Sequence, residues 1–299
     1  MSEPAYPTPT TTARWVLPVL APIVIALLWA GLAAPMPDGV AFGAMIGAAI
    51  IWGGILVLIT LAVGALALLR TRREAGPQSR PVRALVVVCL FVILTALSGR
   101  IPGLAPFAQF EHNWQGKVLD LLWVGVLFAV LWRWARRDAG LTWRIRRGSG
   151  RWAMVVIVSV FVLFVGLSLL AVATDPSAQQ DVGAEQVLYN ATIPNLTEEL
   201  IWRGAMLAVL DRAFGTPWRL AGAPVGWGLV ITSVVFGAGH MILLSAEGVF
   251  SLSIGGGLFA TVMGVLLAWI WAYTRSVWPA FLLHCAPEVA VDVAMLATG

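Results

Sequence analysis

The chain has 299 residues, 60% of them hydrophobic and only 11% charged, with a formal net charge of +4 and a mean hydropathy of +0.88. A soluble domain carries roughly 25% charged residues, so this composition excludes a water-solvated globule. The pI of about 9.7 does not indicate a nucleic-acid partner, because the basic residues fall where membrane topology wants them.

Residues 1–13 are polar and rich in Thr and Pro, and read as a disordered tail. Apolar runs of roughly 20 residues follow, enough to cross ~30 Å of hydrocarbon at ~1.5 Å per residue. They predict spans at about 15–34, 42–69, 82–99, 116–134, 152–173, 186–210, 226–244, 250–274 and 277–297. Alternation at period two is absent, so helices must satisfy the backbone inside lipid. The expected fold is all-α, a polytopic transmembrane bundle of nine spans, or eight if the last run does not cross. The first run, ending in Leu32-Ala33-Ala34, resembles a signal peptide with a small-residue cleavage site. Its basic region is only Arg14 and its apolar run is long, which favours a retained helix.

Orientation follows from Lys and Arg. A cytoplasmic N-terminus puts Arg14, Arg70, Arg72, Arg73, Arg80, Arg83, the cluster from Arg133 to Arg151, Arg212, Arg219 and Arg275 inside. Only Arg100 and Lys117 then lie outside, with Asp38, Glu111, Asp175, Asp181, Glu185 and Glu247. The basic loops suit anionic lipid headgroups. A multi-pass protein of the plasma membrane is expected, and the Ala/Val/Trp/Arg-rich composition suggests a bacterial one. Most of the 15 Trp sit near span ends, as interfacial anchors do. Cys89 and Cys285 lie in different spans and form no metal or disulfide pattern. Gly255-Gly256-Gly257 fits close helix packing. The triplets at Asn190 and Asn195 spell glycosylation sites, but inside a span.

Charged groups in hydrocarbon cost several kcal/mol and are functional by default. They are Asp120, Glu198, Glu199, Arg203, Glu288 and Asp292, joined by His240 and His284, and all but Asp120 fall in the last third. At 100° per residue Glu199 and Arg203 are i,i+4 neighbours that can pair. Glu198 is turned away, unpaired and free to face another helix, which suits a general base or acid. A packing salt bridge among all three is the alternative. Phe236 and His240 are also i,i+4, so the ring can wall the imidazole. His284, Glu288 and Asp292 line one face of the last span, with Pro287 able to kink it. Spans 6, 7 and 9 should therefore converge on a polar cavity.

Three motifs carry a resemblance. Glu198-Glu199-Leu200-Ile201-Trp202-Arg203 has the form Glu-Glu-x-x-x-Arg, Phe236-Gly237-Ala238-Gly239-His240 the form Phe-x-x-x-His, and Trp278-Pro279-Ala280-Phe281-Leu282-Leu283 leads into His284. In this order over about residues 185–297, they resemble the CPBP family of CAAX prenyl endopeptidases and bacteriocin-processing or self-immunity membrane proteins. The resemblance implies an intramembrane endopeptidase cleaving a membrane-associated peptide or protein, with residues 175–299 as catalytic core and 14–174 as helices without a recognised motif. It implies that Glu198 and His240 activate water, that Glu199, Arg203 and Phe236 support them, and that His284 stabilises the oxyanion. Where the family has Asn or Asp, four residues after the third-motif His, this chain has Glu288. A protonated Glu288 can donate to the oxyanion, an ionised one can join Glu198, His240 and His284 around zinc, or the site is degraded. A metal-free, glutamate-dependent mechanism is favoured, because no His-x-x-x-His or His-Glu-x-x-His spacing occurs. A non-catalytic scaffold or immunity protein, or an ion- or proton-coupled transporter, stays open. His240 lies ~14 residues and His284 ~7 residues from the inner ends of their spans, roughly 20 and 10 Å. Sharing a substrate requires that span 7 start later or tilt.

Overall fold

The computed structural model describes residues 12–33, 42–71, 79–99, 105–244 and 249–299. The tail at 1–11, Ala34, Asp38, Arg72, Arg73, Arg100 and Glu247 lie outside the described residues. Every predicted apolar run holds helix: α1 (Thr12–Ala33), α2 (Phe42–Thr71), α3 (Ser79–Ser98), α4 (Trp114–Val130), α6 (Gly150–Thr174), the broken helix α7 (Ala184–Ala191), α8 (Ile193–Glu199) and α9 (Ala208–Phe214), then α10 (Trp227–Met241), α11 (Ile254–Thr274) and α12 (Val277–Thr298). A short α5 (Trp132–Arg137) follows α4. Among the described residues, five helices are long and apolar enough to cross a membrane: Ile46–Thr71, Arg80–Ser98, Gly150–Thr174, Ile254–Thr274 and Val277–Thr298. Pro18–Trp29 and Trp227–Met241 are apolar but shorter. The architecture is thus an all-α membrane bundle.

Position within the bundle sets each helix's surface. Along α6 most side chains point outward, Val155, Val158, Val162, Leu163, Leu167 and Leu170 among them. A helix apolar all round and exposed needs lipid as its solvent. Its opposite side packs along α12, and α10 packs along α11. The α10–α11 contact is close because small residues face each other. A Cβ on Gly237 would stand 1.8 Å from Thr261 Oγ1, and one on Gly257 would stand 2.4 Å from Met241 Cβ. Gly257 therefore packs closely as expected, whereas Gly255 meets open space.

Two expected spans depart from a continuous helix. The run at 186–210 breaks at Thr192, because Pro194 has no N–H for the Asn190 carbonyl. The Asn195 side-chain amide donates to that carbonyl instead, at 2.7 Å. Beyond Glu199 the chain widens into a π-helical segment, Leu200–Leu207, before α9. The run at 226–244 ends in a strand and the run at 250–274 begins with one: β3 (Ile242–Leu244) pairs antiparallel with β4 (Phe250–Leu252), Ile242 opposite Leu252. From α2, Trp52 Nε1 donates to the Ile242 carbonyl at 2.7 Å and holds that hairpin on the bundle. An earlier hairpin, β1 (Trp218–Leu220) with β2 (Ala223–Val225), turns through Ala221 and Gly222, both at positive φ. Positive φ at both central residues matches the right-handed twist of the strands it joins.

Candidate active site

Glu199 closes α8 with a side chain 0% exposed. Its Oε1 accepts from Arg203 Nη1 at 2.6 Å and from His284 Nδ1 at 2.7 Å. The expected i,i+4 pair thus forms despite the π-helical turn, and it also recruits α12. Arg203, 1% exposed, lies with Cζ 4.8 Å from the Phe236 ring centroid. Its Nη2 donates to the Gly264 carbonyl of α11 at 3.5 Å. One carboxylate therefore ties α8, the π-helical segment, α11 and α12 together.

Glu198 turns away from that network, as expected, but it is not unpaired. Lys117 Nζ, from the first turn of α4, binds its Oε1. The reason is reach: a Lys at a span end has a four-carbon stem and can send its ammonium into the bundle. The second oxygen, Oε2, is 3.9 Å from His284 Nε2. Glu198 is partly open, at 19% exposure.

His240 stands exposed in the last turn of α10. Its Nδ1 lies 2.9 Å from the Phe236 carbonyl. A carbonyl only accepts, so Nδ1 carries a proton in this contact and Nε2 is left to meet another partner. The Phe236 ring centroid is 4.4 Å from that of His240 and 5.8 Å from that of His284. One ring thus packs against both imidazoles. α10 starts at Trp227, within a residue of the start expected for that span. Both imidazoles lie within electrostatic reach of Glu198.

The α12 stripe faces α7 and α8, position by position. Glu288 Oε2 accepts from Asn195 Nδ2 at 2.6 Å. Asp292 accepts from Gln186 Nε2 and Asn190 Nδ2, each at 2.8 Å. Asn190 and Asn195 are therefore engaged inside the bundle. Asp120 belongs to the α3–α4 packing, accepting from Ser98 Oγ at 2.5 Å and Trp123 Nε1 at 2.9 Å. Among the described residues no three His, Cys, Asp or Glu side chains group as metal ligands. The zinc set of Glu198, His240, His284 and Glu288 does not fit, since Lys117 holds Glu198, Glu199 holds His284 and Asn195 holds Glu288.

At the rim, Glu185 binds the segment that leads into α4. It accepts from the backbone N–H groups of His112 and Glu111, each at 3.0 Å, and from Trp114 Nε1 at 3.1 Å. The His112 amide leads in holding this carboxyl below its ordinary range. His112 and Trp114 also pack on Tyr189 of α7, with ring centroids 4.7 and 5.1 Å apart.

Sequence reasoning missed Lys117, Asn195 and the Glu185 clamp. Lys117 reads in the sequence as a cation of an outer connection and Asn195 as part of a glycosylation triplet. Only the polar stripe on the last span hinted that a facing helix must supply partners.

Residues 182–289, a little over a third of the chain, match the family model described as type II CAAX prenyl endopeptidase Rce1-like. The matched stretch thus lies in the late helices, within the region that resembles the CPBP group. It includes Glu198, Glu199, Arg203, Phe236, His240, His284 and Glu288, and leaves Lys117 and Asp292 outside. No curated protein and no solved structure matches the chain.

Proposed function

We propose that this Rce1-like membrane protein is an intramembrane endopeptidase in which Glu198 and His240 activate the water that attacks a peptide bond. The Rce1-like domain supports a hydrolase of the CAAX protease type. One observation carries the finer reading. Lys117 holds one oxygen of Glu198, the other lies 3.9 Å from His284 Nε2, and the Phe236 ring packs against both His284 and His240.

The chemistry needs no further group. Water bound to Glu198 Oε2 gives up a proton as its oxygen attacks the carbonyl carbon. The proton passes to Glu198 or to His240 Nε2. His284 is held at Nδ1 by Glu199, and in its protonated form turns an Nε2–H toward the oxyanion. Collapse breaks the C–N bond and returns the first proton to the leaving amine. A general acid–base of this kind contributes about 10²–10⁴-fold, and an oxyanion donor about 10²–10³-fold. The substrate is a peptide or protein already in the bilayer, since charged and apolar groups meet here at helix depth. In a bacterial plasma membrane a leader peptide or membrane protein suits it better than a prenylated CAAX chain. The N-terminus then faces the cytoplasm, with the basic loops on anionic headgroups.

The test is cleavage of a quenched peptide library by purified protein in proteoliposomes. Glu198→Ala and His240→Ala should each abolish cleavage. Equal cleavage by both variants and the unaltered protein would end the proposal.

A further inference from the structure

We infer that Lys117 is a positioning residue of this site, its ammonium keeping Glu198 ionised and fixing Oε1 so that Oε2 is left for the water. The inference rests on the hydrolase reading for its kinetic consequence, but the ion pair exists whatever the site does. Lys117 lies 81 residues before Glu198 in sequence, outside the family-matched region.

Its placement is built into the fold. Asn113 caps α4, its Oδ1 accepting from the Gly116 amide at 3.0 Å. Glu185 ties the residues just before that cap to α7, and Asp120, one turn after Lys117, is held by Ser98 and Trp123. The first turn of α4 is thus fixed on both sides, and its ammonium sits over α8.

Charge gives the contact its meaning. The groups facing Glu198 are Lys117 and Asp120 on α4, Tyr189 on α7, Glu199 beside it, Arg203 in the π-helical segment, His240 on α10, and His284 and Glu288 on α12. Arg203 is already engaged by Glu199. Lys117 is then the permanent cation that balances Glu198. A half-buried carboxylate without one takes a proton in place of staying charged, and a carboxylic acid cannot accept a proton from water. When Glu198 does accept that proton, the ammonium beside it loses its counter-charge just as the oxyanion forms. The field of the pair then favours the tetrahedral stage.

Difference infrared spectroscopy of the full chain in lipid tests this without requiring turnover. Subtracting Glu198→Gln from the unaltered protein should isolate an ionised-carboxylate band. The same subtraction on a Lys117→Gln background should show a protonated carboxyl stretch, and a Lys117→Arg background should restore the ionised band. In cleavage assays Lys117→Gln should lower kcat by about 10²-fold with KM little changed, and Lys117→Arg should recover most of it. If Lys117→Met unfolds the protein, the Gln and Arg variants still decide the matter. An ionised band that survives Lys117→Gln would make Lys117 a mere staple between α4 and α8. Cleavage by Glu198→Gln would instead overturn the role of Glu198 in activating water and leave the infrared result standing.

Discussion

Glu198 and Glu199 are neighbours in sequence but belong to two regions of opposite character. On the closed side, Glu199, Arg203 and His284 interlock with almost no exposure, and their hydrogen bonds join four stretches of helix. On the open side, Glu198 meets Lys117 at partial exposure, and His240 stands at the end of α10 with one ring nitrogen free. A buried ion pair rigidifies but cannot easily exchange protons with a substrate, whereas a partly open one can. On the proposed reading, the closed side sets geometry and the open side does the chemistry. His284 belongs to both, with Nδ1 on Glu199 and Nε2 toward Glu198.

Arg203→Met should break the closed side most severely. It leaves Glu199 buried with only His284 as partner, and removing one member of a buried pair costs about 3–5 kcal/mol. Thermal unfolding in detergent should show the loss, while activity per folded molecule falls much less. Gly237→Ala should do smaller damage by a different route. The added methyl meets Thr261 Oγ1, forcing α10 from α11 at about 1–3 kcal/mol, and His240 moves with α10. Its signature is a lower Tm together with a lower kcat.

The smallest effect lies at the rim. The folded carboxyl of Glu185 is held below its unfolded value, chiefly by the His112 amide. Its contribution to stability is therefore present above the ordinary carboxylate range and is lost as pH falls through the depressed folded value. Hydrogen exchange at the Glu111 and His112 amides should quicken, relative to the intrinsic rate, across that acid window. Glu185→Gln should abolish the pH dependence.

Much of this was legible in the sequence, for reasons that also explain what was not. Apolar runs between charges located the helices, because lipid demands that pattern. Helical spacing gave the Glu199–Arg203 pair and the α12 stripe, because i,i+4 geometry survives local distortion. The strands at Ile242–Leu244 and Phe250–Leu252 were hidden, because three apolar residues have no readable period. The break at Thr192 was signalled by Pro194 but overridden by the apolar run around it. Lys117 was invisible as a partner, because nothing local to α4 tells which helix its long side chain will meet. The expectation that Glu198 stood unpaired failed for that reason alone.

The division between the two sides is tested most directly by setting Glu198→Gln beside Glu199→Gln, with cleavage rate and thermal unfolding measured on the same lipid-reconstituted samples. Glu198→Gln should unfold like the unaltered protein and cleave at least about 10²-fold more slowly. Glu199→Gln should unfold at a lower temperature and keep more activity per folded molecule. Full cleavage by a folded Glu198→Gln protein would contradict the account.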